Sequence, residues 1–217
     1  IFGVAVNSAT SALHIACLAL DLGVGDNLWT SPTTFVASAN CALYCGAYVD
    51  FVDIDPLTGL MSIDALAHKL SIAELNGTLP KIVIPVHLTG SSCDMLSIRN
   101  LANRYDFRVI EDASHAIGGS YLDAPVGNCR YSDITIFSFH PVKIITTGEG
   151  GIATTNDPSL AQRMSSLRCH GITRDTDMFE LPVPGPWAYE QQQLGFNYRI
   201  TDIQAALGLS QLQRLDE

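Results

Sequence analysis

The stretch KIVIPVHLTGSSCDMLSIRNLANRYDFRVIED, residues 81–112, decides the fold. It opens with a continuous apolar run at residues 81–86, which is typical of a strand buried on both faces of a parallel sheet. Residues 94–105 carry helical spacing, and residues 107–112 form a second apolar strand that ends in two carboxylates. A strand, a helix and a second strand in this order predict a right-handed crossover and a parallel α/β sheet.

The same alternation extends along the rest of the chain. Further strands are predicted at residues 27–32, 48–54, 133–139 and 151–155, and further helices at residues 34–44, 62–70 and 159–168, with one more that is capped by residues 8–11 and ends before Gly23. Residues 171–195 are predicted to form a long loop, and loops of that length are more often functional than idle. Ligands of such sheets bind at the carboxyl ends of strands and at helix N-termini.

Composition excludes several classes of protein. A length of 217 residues predicts one or two domains, since an average domain has roughly 150 residues. The net charge of −10, with only 12 Lys and Arg, argues against nucleic-acid binding because phosphate contacts need a basic face. We find neither an apolar run of about 18 residues nor a leader, which predicts a cytoplasmic protein without a membrane span. Charged residues make up 16%, against about 25% in typical proteins, which indicates surface that is apolar or hidden, in an oligomer or against a missing neighbour.

Both ends of the sequence look truncated. The chain starts at Ile1 without an initiator Met, and it stops inside an amphipathic pattern from Ile203 to Leu215 that carries no C-cap signal. We therefore expect a fragment of a longer protein.

The six cysteines predict buried thiols and no metal site. Cys41 and Cys45 stand four residues apart and could form half of a zinc site, but no second Cys or His pair follows at ligand spacing. No metal is expected.

Lysine is scarce, and one of the three lysines stands out. Lys69 and Lys81 have ordinary solvated positions, on a helix and before an apolar strand. Lys143 lies in SFHPVKIITTGEGG, residues 138–151, between apolar residues and before a glycine cluster. Apolar surroundings favour the neutral amine, which is a nucleophile toward carbonyls. Lys143 is thus a candidate catalytic residue, and a loop amine that extends into solvent is the alternative.

Two further patterns suit a charged ligand. In VIEDASH, residues 109–115, an apolar strand ends in Glu111 and Asp112 and is followed by His115, at the edge where such sheets bind ligands. In NSATS, residues 7–11, hydroxyl side chains and free backbone N–H groups at a helix start suit a phosphate. Turn formation by the carboxylates and simple N-capping by the hydroxyls are the alternatives.

Together these patterns meet the requirements of pyridoxal 5′-phosphate (PLP). Its phosphate needs a helix N-terminus, its pyridine nitrogen needs an anionic partner, and its aldehyde needs an amine. The three patterns occur in the chain order expected of this cofactor's most common fold. PLP is therefore the expected cofactor.

The chain resembles the DegT/DnrJ/EryC1/StrS family of sugar aminotransferases over essentially its whole length. The matching stretches are residues 7–13, 31–38, 85–90, 111–116, 138–151 and 195–199. The resemblance implies an α/β fold of PLP-dependent transferase fold type I, the aspartate aminotransferase-like fold, with a mostly parallel sheet between helices. Residues 1–217 would be its PLP-binding large domain, without the extreme N-terminus and most of the small C-terminal domain.

The resemblance also implies a role for individual residues. Lys143 matches the lysine that holds the cofactor aldehyde and moves a proton during the reaction. Asp112 matches the partner of the pyridine nitrogen, and His115 lies near the ring oxygen. The other matches are Ala9, Thr10 and Ser138 at the phosphate, Phe35 stacked on the ring, and Asn197, which reaches the phosphate of the partner subunit. Many relatives have Gly where this chain has Ala9, so a positive φ there would be strained.

The implied reaction is amino-group transfer by a homodimer. L-Glutamate is the implied donor, and C4 of a UDP-linked 4-keto-6-deoxy-N-acetylhexosamine is the implied acceptor. A family dehydratase is one alternative, but such proteins replace the lysine by histidine. A non-catalytic regulator or scaffold is disfavoured by the joint presence of Lys143, Asp112 and Ser138, and a nicotinamide enzyme is disfavoured because no GxGxxG follows a strand.

Overall fold

Strands and helices alternate along the chain, as the apolar pattern predicts. The computed structural model describes residues 1–216. Its strands are β1 (Phe2–Val6), β2 (Asn27–Thr30), β3 (Tyr48–Phe51), β4 (Ile82–Ile84), β5 (Arg108–Asp112), β6 (Ser120–Tyr121), β7 (Ala124–Pro125), β8 (Ile134–Ser138), β9 (Gly151–Thr155), β10 (Ile172–Thr173) and β11 (Glu190–Gln191). Its α-helices are α1 (Ala9–Ala19), α2 (Ala37–Tyr44), α3 (Ile63–Asn76), α4 (Met95–Tyr105), α5 (Pro158–Arg168) and α6 (Asp202–Leu212).

Seven strands form the central sheet in the order β1-β9-β8-β5-β4-β2-β3. The five strands from β8 to β3 are parallel, whereas β9 runs antiparallel to both β8 and β1. The prediction of a mostly parallel sheet is therefore confirmed. Strand β1 was not predicted from the sequence, and it extends the sheet beyond β9.

Helices cover both faces of the sheet. Ile82 and Ile84 of β4 pack in the core cluster that contains α1, α2 and α5, whereas Val83 between them packs in the cluster that contains α3 and α4. Neighbouring strand residues point to opposite faces. Because both faces are covered, the strand is a continuous apolar run rather than an alternating one.

Side-chain caps fix several helix starts where the sequence predicts them. Ser8 caps α1, Ser62 caps α3 and Asp94 caps α4. Helix α3 extends to Asn76, beyond its predicted end, and stops where Gly77 adopts a φ of 67°.

Several other predicted boundaries are wrong, and the strands predicted at residues 27–32 and 48–54 end at Thr30 and Phe51. The helix predicted from residue 34 begins only at Ala37, because Thr34 and Phe35 belong to a turn that precedes it. The predicted loop 171–195 is not wholly irregular, since β10 and β11 pair within it as a short antiparallel ribbon.

Three further findings concern the cysteines, the metal-ligand clusters and the helix lengths of residues 1–216. All six cysteines are free; four are buried, but Cys45 and Cys169 are only partly so, which corrects the prediction of uniformly buried thiols. Within this range no cluster of three or more His, Cys, Asp or Glu suits a metal ion. No helix in it has the length and apolarity needed to traverse a bilayer.

Candidate active site

A cavity of about 220 Å³ opens at the carboxyl edge of the parallel strands. Its volume far exceeds the roughly 10–15 Å³ that a single water needs. Seven of the eight predicted site residues line it, namely Ala9, Thr10, Phe35, Asp112, His115, Ser138 and Lys143. Asn197 does not line it; its side chain is exposed, and its backbone forms a bridge with Cys169.

The N-terminus of α1 forms one wall of the cavity. Ser8 Oγ accepts the backbone N–H of Ser11 at 3.1 Å, which leaves the N–H groups at Ala9 and Thr10 without partners inside the helix. These groups and the positive end of the helix dipole favour an anion, and Ser138 adds a hydroxyl from the end of β8. Ala9 is the first helical residue, so the strain considered for that position does not arise.

Gly151 allows this helix start to approach the sheet. A Cβ on Gly151 would lie 2.6 Å from the backbone N of Ala9 and 2.8 Å from the carbonyl carbon of Ser8. Both distances are shorter than real Cβ contacts, and backbone atoms cannot rotate away. The glycine at the start of β9 therefore lets the anion-binding helix start pack directly against the sheet.

Asp112 supplies the anion of the site and is held at both oxygens. It ends β5 and is only 5% exposed. Oδ1 accepts the backbone N–H of Ser114 at 3.1 Å, and Oδ2 accepts the hydroxyl of Ser38 at 2.6 Å. The carboxylate therefore has a fixed orientation beside the cavity.

Lys143 supplies the amine from the loop between β8 and β9. Its backbone N–H donates to His140 O at 2.9 Å, which forms a turn at the start of the loop. Burial lowers the pKa of the Lys143 ammonium below its ordinary value, and the carboxylate of Asp112 offsets only part of this effect. The neutral amine, which is the nucleophilic form, is thus a larger fraction at a given pH than in a solvated lysine.

His115 is held in one tautomer beside Lys143. Its Nδ1 accepts the backbone N–H of Thr89 at 3.2 Å, so in the neutral ring the proton is on Nε2. Thr89 adopts a φ of 57°, an uncommon value for a residue other than glycine. Burial, together with the charge of Lys143, lowers the pKa of His115, which favours the neutral ring.

The two carboxylates at the end of β5 have different roles. Glu111 points away from the cavity, where it accepts His87 Nε2–H at 2.8 Å, Thr135 Oγ1–H at 3.1 Å and Ser132 Oγ–H. His87 Nδ1 in turn accepts the backbone N–H of Cys93. Burial raises the pKa of Glu111, but these hydrogen bonds outweigh burial and lower it below its ordinary value. Only Asp112 of the pair lines the cavity.

The buried partners of the site were not predicted from the sequence. Neither the His87–Glu111 pair nor the Ser38 contact was predicted, although alternation along β5 could have separated the faces of Glu111 and Asp112. The hydroxyls of Thr34 and Ser38 stand four residues apart, the spacing of side-chain neighbours on a helix, and this signal was available too.

Comparison with known proteins gives a consistent set of relatives. The model of the DegT/DnrJ/EryC1/StrS aminotransferase family matches residues 1–217. The chain is 42% identical to GDP-perosamine synthase of Caulobacter vibrioides over 214 residues, 99% of this chain and 53% of that protein. It is 41% identical to UDP-4-amino-4,6-dideoxy-N-acetyl-beta-L-altrosamine transaminase of Campylobacter jejuni over 216 residues, 97% of this chain and 52% of that protein. The chain thus spans about half the length of these relatives.

Solved structures share the fold at similar coverage. Helicobacter pylori PseC, an aminotransferase involved in the biosynthesis of pseudoaminic acid, superposes with a TM-score of 0.87 at 32% identity, over 100% of this chain and 54% of that chain. NtdA of Bacillus subtilis, solved with bound cofactor PMP, superposes with a TM-score of 0.81 at 31% identity, over 99% of this chain and 45% of that chain.

Proposed function

Because the chain belongs to the DegT/DnrJ/EryC1/StrS aminotransferase family, we propose that it forms the PLP-binding large domain of a nucleotide-sugar aminotransferase. Its fold is that of the PLP-dependent aminotransferases, as the resemblance implies. The observation that carries the proposal is the single cavity that joins Lys143, Asp112 and the N-terminus of α1.

The residues of this cavity fit PLP group by group. The start of α1 and Ser138 suit the phosphate, and the Cβ-free Gly151 lets that helix start pack against the sheet. The carboxylate of Asp112 suits a protonated pyridine nitrogen, and the amine of Lys143 suits the aldehyde. Phe35 is 72% exposed and lines the cavity, so its ring is free to stack on a flat ligand. PMP, the ligand of NtdA, is the amino form of the same cofactor.

In this proposal the chain's own residues bind, orient and move protons, while the bound cofactor supplies an electron sink. The Asp112 carboxylate stabilises positive charge on a ring nitrogen. The neutral amine of Lys143 takes up and returns a proton as general base and acid. His115, neutral and protonated on Nε2, donates a hydrogen bond to a ligand oxygen.

The proposed acceptor is C4 of a UDP-linked 4-keto-6-deoxy-N-acetylhexosamine, and the proposed donor is L-glutamate. The name of the C. jejuni relative supports a UDP-linked sugar. The PseC neighbour, an aminotransferase involved in the biosynthesis of pseudoaminic acid, supports a role in that kind of sugar biosynthesis. The relative from C. vibrioides is named for a GDP-linked sugar, which makes the nucleotide the feature to test.

An amino-transfer assay on the complete protein tests this proposal. We expect glutamate-dependent amination of the UDP-linked 4-keto sugar, at a rate at least about tenfold above that of GDP- and dTDP-linked analogues, since one lost set of polar contacts costs about 1.4 kcal/mol or more. Mass spectrometry of the sugar product gives the readout. Faster amination of the GDP-linked sugar would contradict the proposed UDP-linked substrate. Loss of a sugar hydroxyl without gain of nitrogen would indicate a dehydratase.

We also propose that the active protein is a cytoplasmic homodimer with shared sites. Exposed large apolar side chains on and around α2 support a partner there, namely Val36, Leu43, Tyr44, Tyr48 and Phe51. Asn197 lies outside its own chain's cavity, in keeping with a role at the partner's phosphate.

Asn197→Ala is expected to weaken PLP retention in the dimer. When Asn197→Ala subunits are mixed with Lys143→Ala subunits, each mixed dimer should contain one site that is intact at both positions. We expect activity to recover toward about a quarter of wild type, because half of the dimers are mixed and each has one complete site. Absence of recovery, with exchange verified by tagged subunits, would contradict a shared site.

A further inference from the structure

Two hydroxyl side chains link the turn that carries Phe35 to the carboxylate of Asp112. Ser38 Oγ donates to Asp112 Oδ2 over 2.6 Å, and Thr34 Oγ1 lies 2.8 Å from Ser38 Oγ. The carbonyl of Phe35 is a more distant acceptor, at 3.4 Å from Ser38 Oγ. Since the short bond to the charged oxygen takes the Ser38 proton, Thr34 is the donor to Ser38.

The link is buried and crosses from one element to another. Ser38 is fully buried in α2, whereas Asp112 ends β5. The other carboxylate oxygen is held by Ser114, two residues further along the same chain segment. Ser38 thus ties the acid to the start of α2, next to the lining residues Phe35 and Ala37, and in its buried surroundings low polarity strengthens a hydrogen bond to a charge.

We propose that Ser38 is a positioning residue whose hydroxyl fixes the Asp112 carboxylate for the ring nitrogen of the cofactor, and that Thr34 orients this hydroxyl. The same link sets Phe35, which lies between the two hydroxyls in sequence, relative to Asp112. The inference rests on the proposed function, because the ring site is the one proposed for PLP.

The test is the affinity of the complete, cofactor-free protein for PLP, measured by equilibrium dialysis. Ser38→Ala is expected to raise the Kd about tenfold, since it removes a hydrogen bond to a charged group. Ser31→Ala is the matched control. Ser31 is also buried, directly after β2, and within residues 1–216 its hydroxyl has no hydrogen-bond partner, so its removal should leave the Kd unchanged.

A double substitution separates positioning from general structure. In an Asp112→Ala background, Ser38→Ala should change the Kd less than twofold, because the hydroxyl then has no carboxylate to hold. Ser38→Cys keeps the size but is a weak donor, so it should also raise the Kd, and it replaces Ser38→Ala if that variant does not fold.

The outcomes are distinct. The positioning role would be overturned if Ser38→Ala raised the Kd for PLP equally in the wild-type and Asp112→Ala backgrounds. It would also be overturned if the Kd of Ser38→Ala were the same as that of Ser31→Ala. A wild-type protein that does not bind PLP would instead overturn the proposed function.

Discussion

Lys143→Ala is expected to lower the amino-transfer rate at least about 10⁴-fold. This is the upper end of what a positioned acid–base group contributes, and we expect it because the same amine also attaches the cofactor. Borohydride treatment of the wild-type holoprotein should fix PLP to Lys143, and peptide mapping gives the readout. The Lys143→Ala protein should carry no label.

Lys69→Ala provides the matched control for this experiment. Lys69 Nζ lies 2.7 Å from Asp50 Oδ2 and donates to Phe51 O, on the surface away from the cavity. Its loss should leave labelling and activity within about twofold of wild type, since exposed ion pairs contribute roughly 0–1 kcal/mol. A label on Lys69 or Lys81, or on no residue, would remove the catalytic assignment.

The pH dependence of cofactor attachment follows from the environment of Lys143. Only the neutral amine attacks an aldehyde, and burial lowers the pKa of this ammonium below its ordinary 10.5. The attachment rate should therefore reach half of its maximum below pH 10.5. A stopped-flow absorbance titration of the cofactor-free protein with PLP measures this midpoint.

Sequence patterns were most informative where a residue's neighbours in the chain set its environment. The apolar run of β4 and the caps at Ser8 and Asp94 are local features, so the fold class and most elements were predictable. Contacts between distant segments were not predictable in this way. Ser38 and Asp112 are 74 residues apart, and nothing near either residue in the sequence shows that β2–α2 and β5 converge.

The edge strand β1 shows the same limit. Its five residues include two exposed positions, Phe2 and Gly3, and their strand character comes from pairing with β9, about 150 residues later. The roles of Glu111 and Asp112 were open for a related reason. Adjacent carboxylates look alike in sequence, and only the sheet assigns one to the cavity and the other to His87.

Asp112→Asn should therefore lower kcat about 10²–10³-fold, the usual effect of removing one preorganised electrostatic partner of a reacting group. Asn keeps nearly the same shape and can still accept the N–H of Ser114, so the loss reports on charge. The pKa of Lys143 should also fall further, because the Asp112 carboxylate raises it. The pH midpoint of PLP attachment should then shift below that of wild type.

Glu111→Gln is the matched control, one residue away on the opposite face. It removes a buried charge that accepts three hydrogen bonds, so we expect a loss of about 2 kcal/mol in the free energy of unfolding at neutral pH. The lowered pKa of Glu111 means that its stabilisation is present above the ordinary value of 4.5 and is lost as pH falls below it. The stability difference from wild type should therefore shrink in acid. The kcat of the folded variant should stay within about threefold of wild type, because Glu111 does not line the cavity. If Glu111→Gln lowered kcat as much as Asp112→Asn, the assignment of separate roles to the two carboxylates would be wrong.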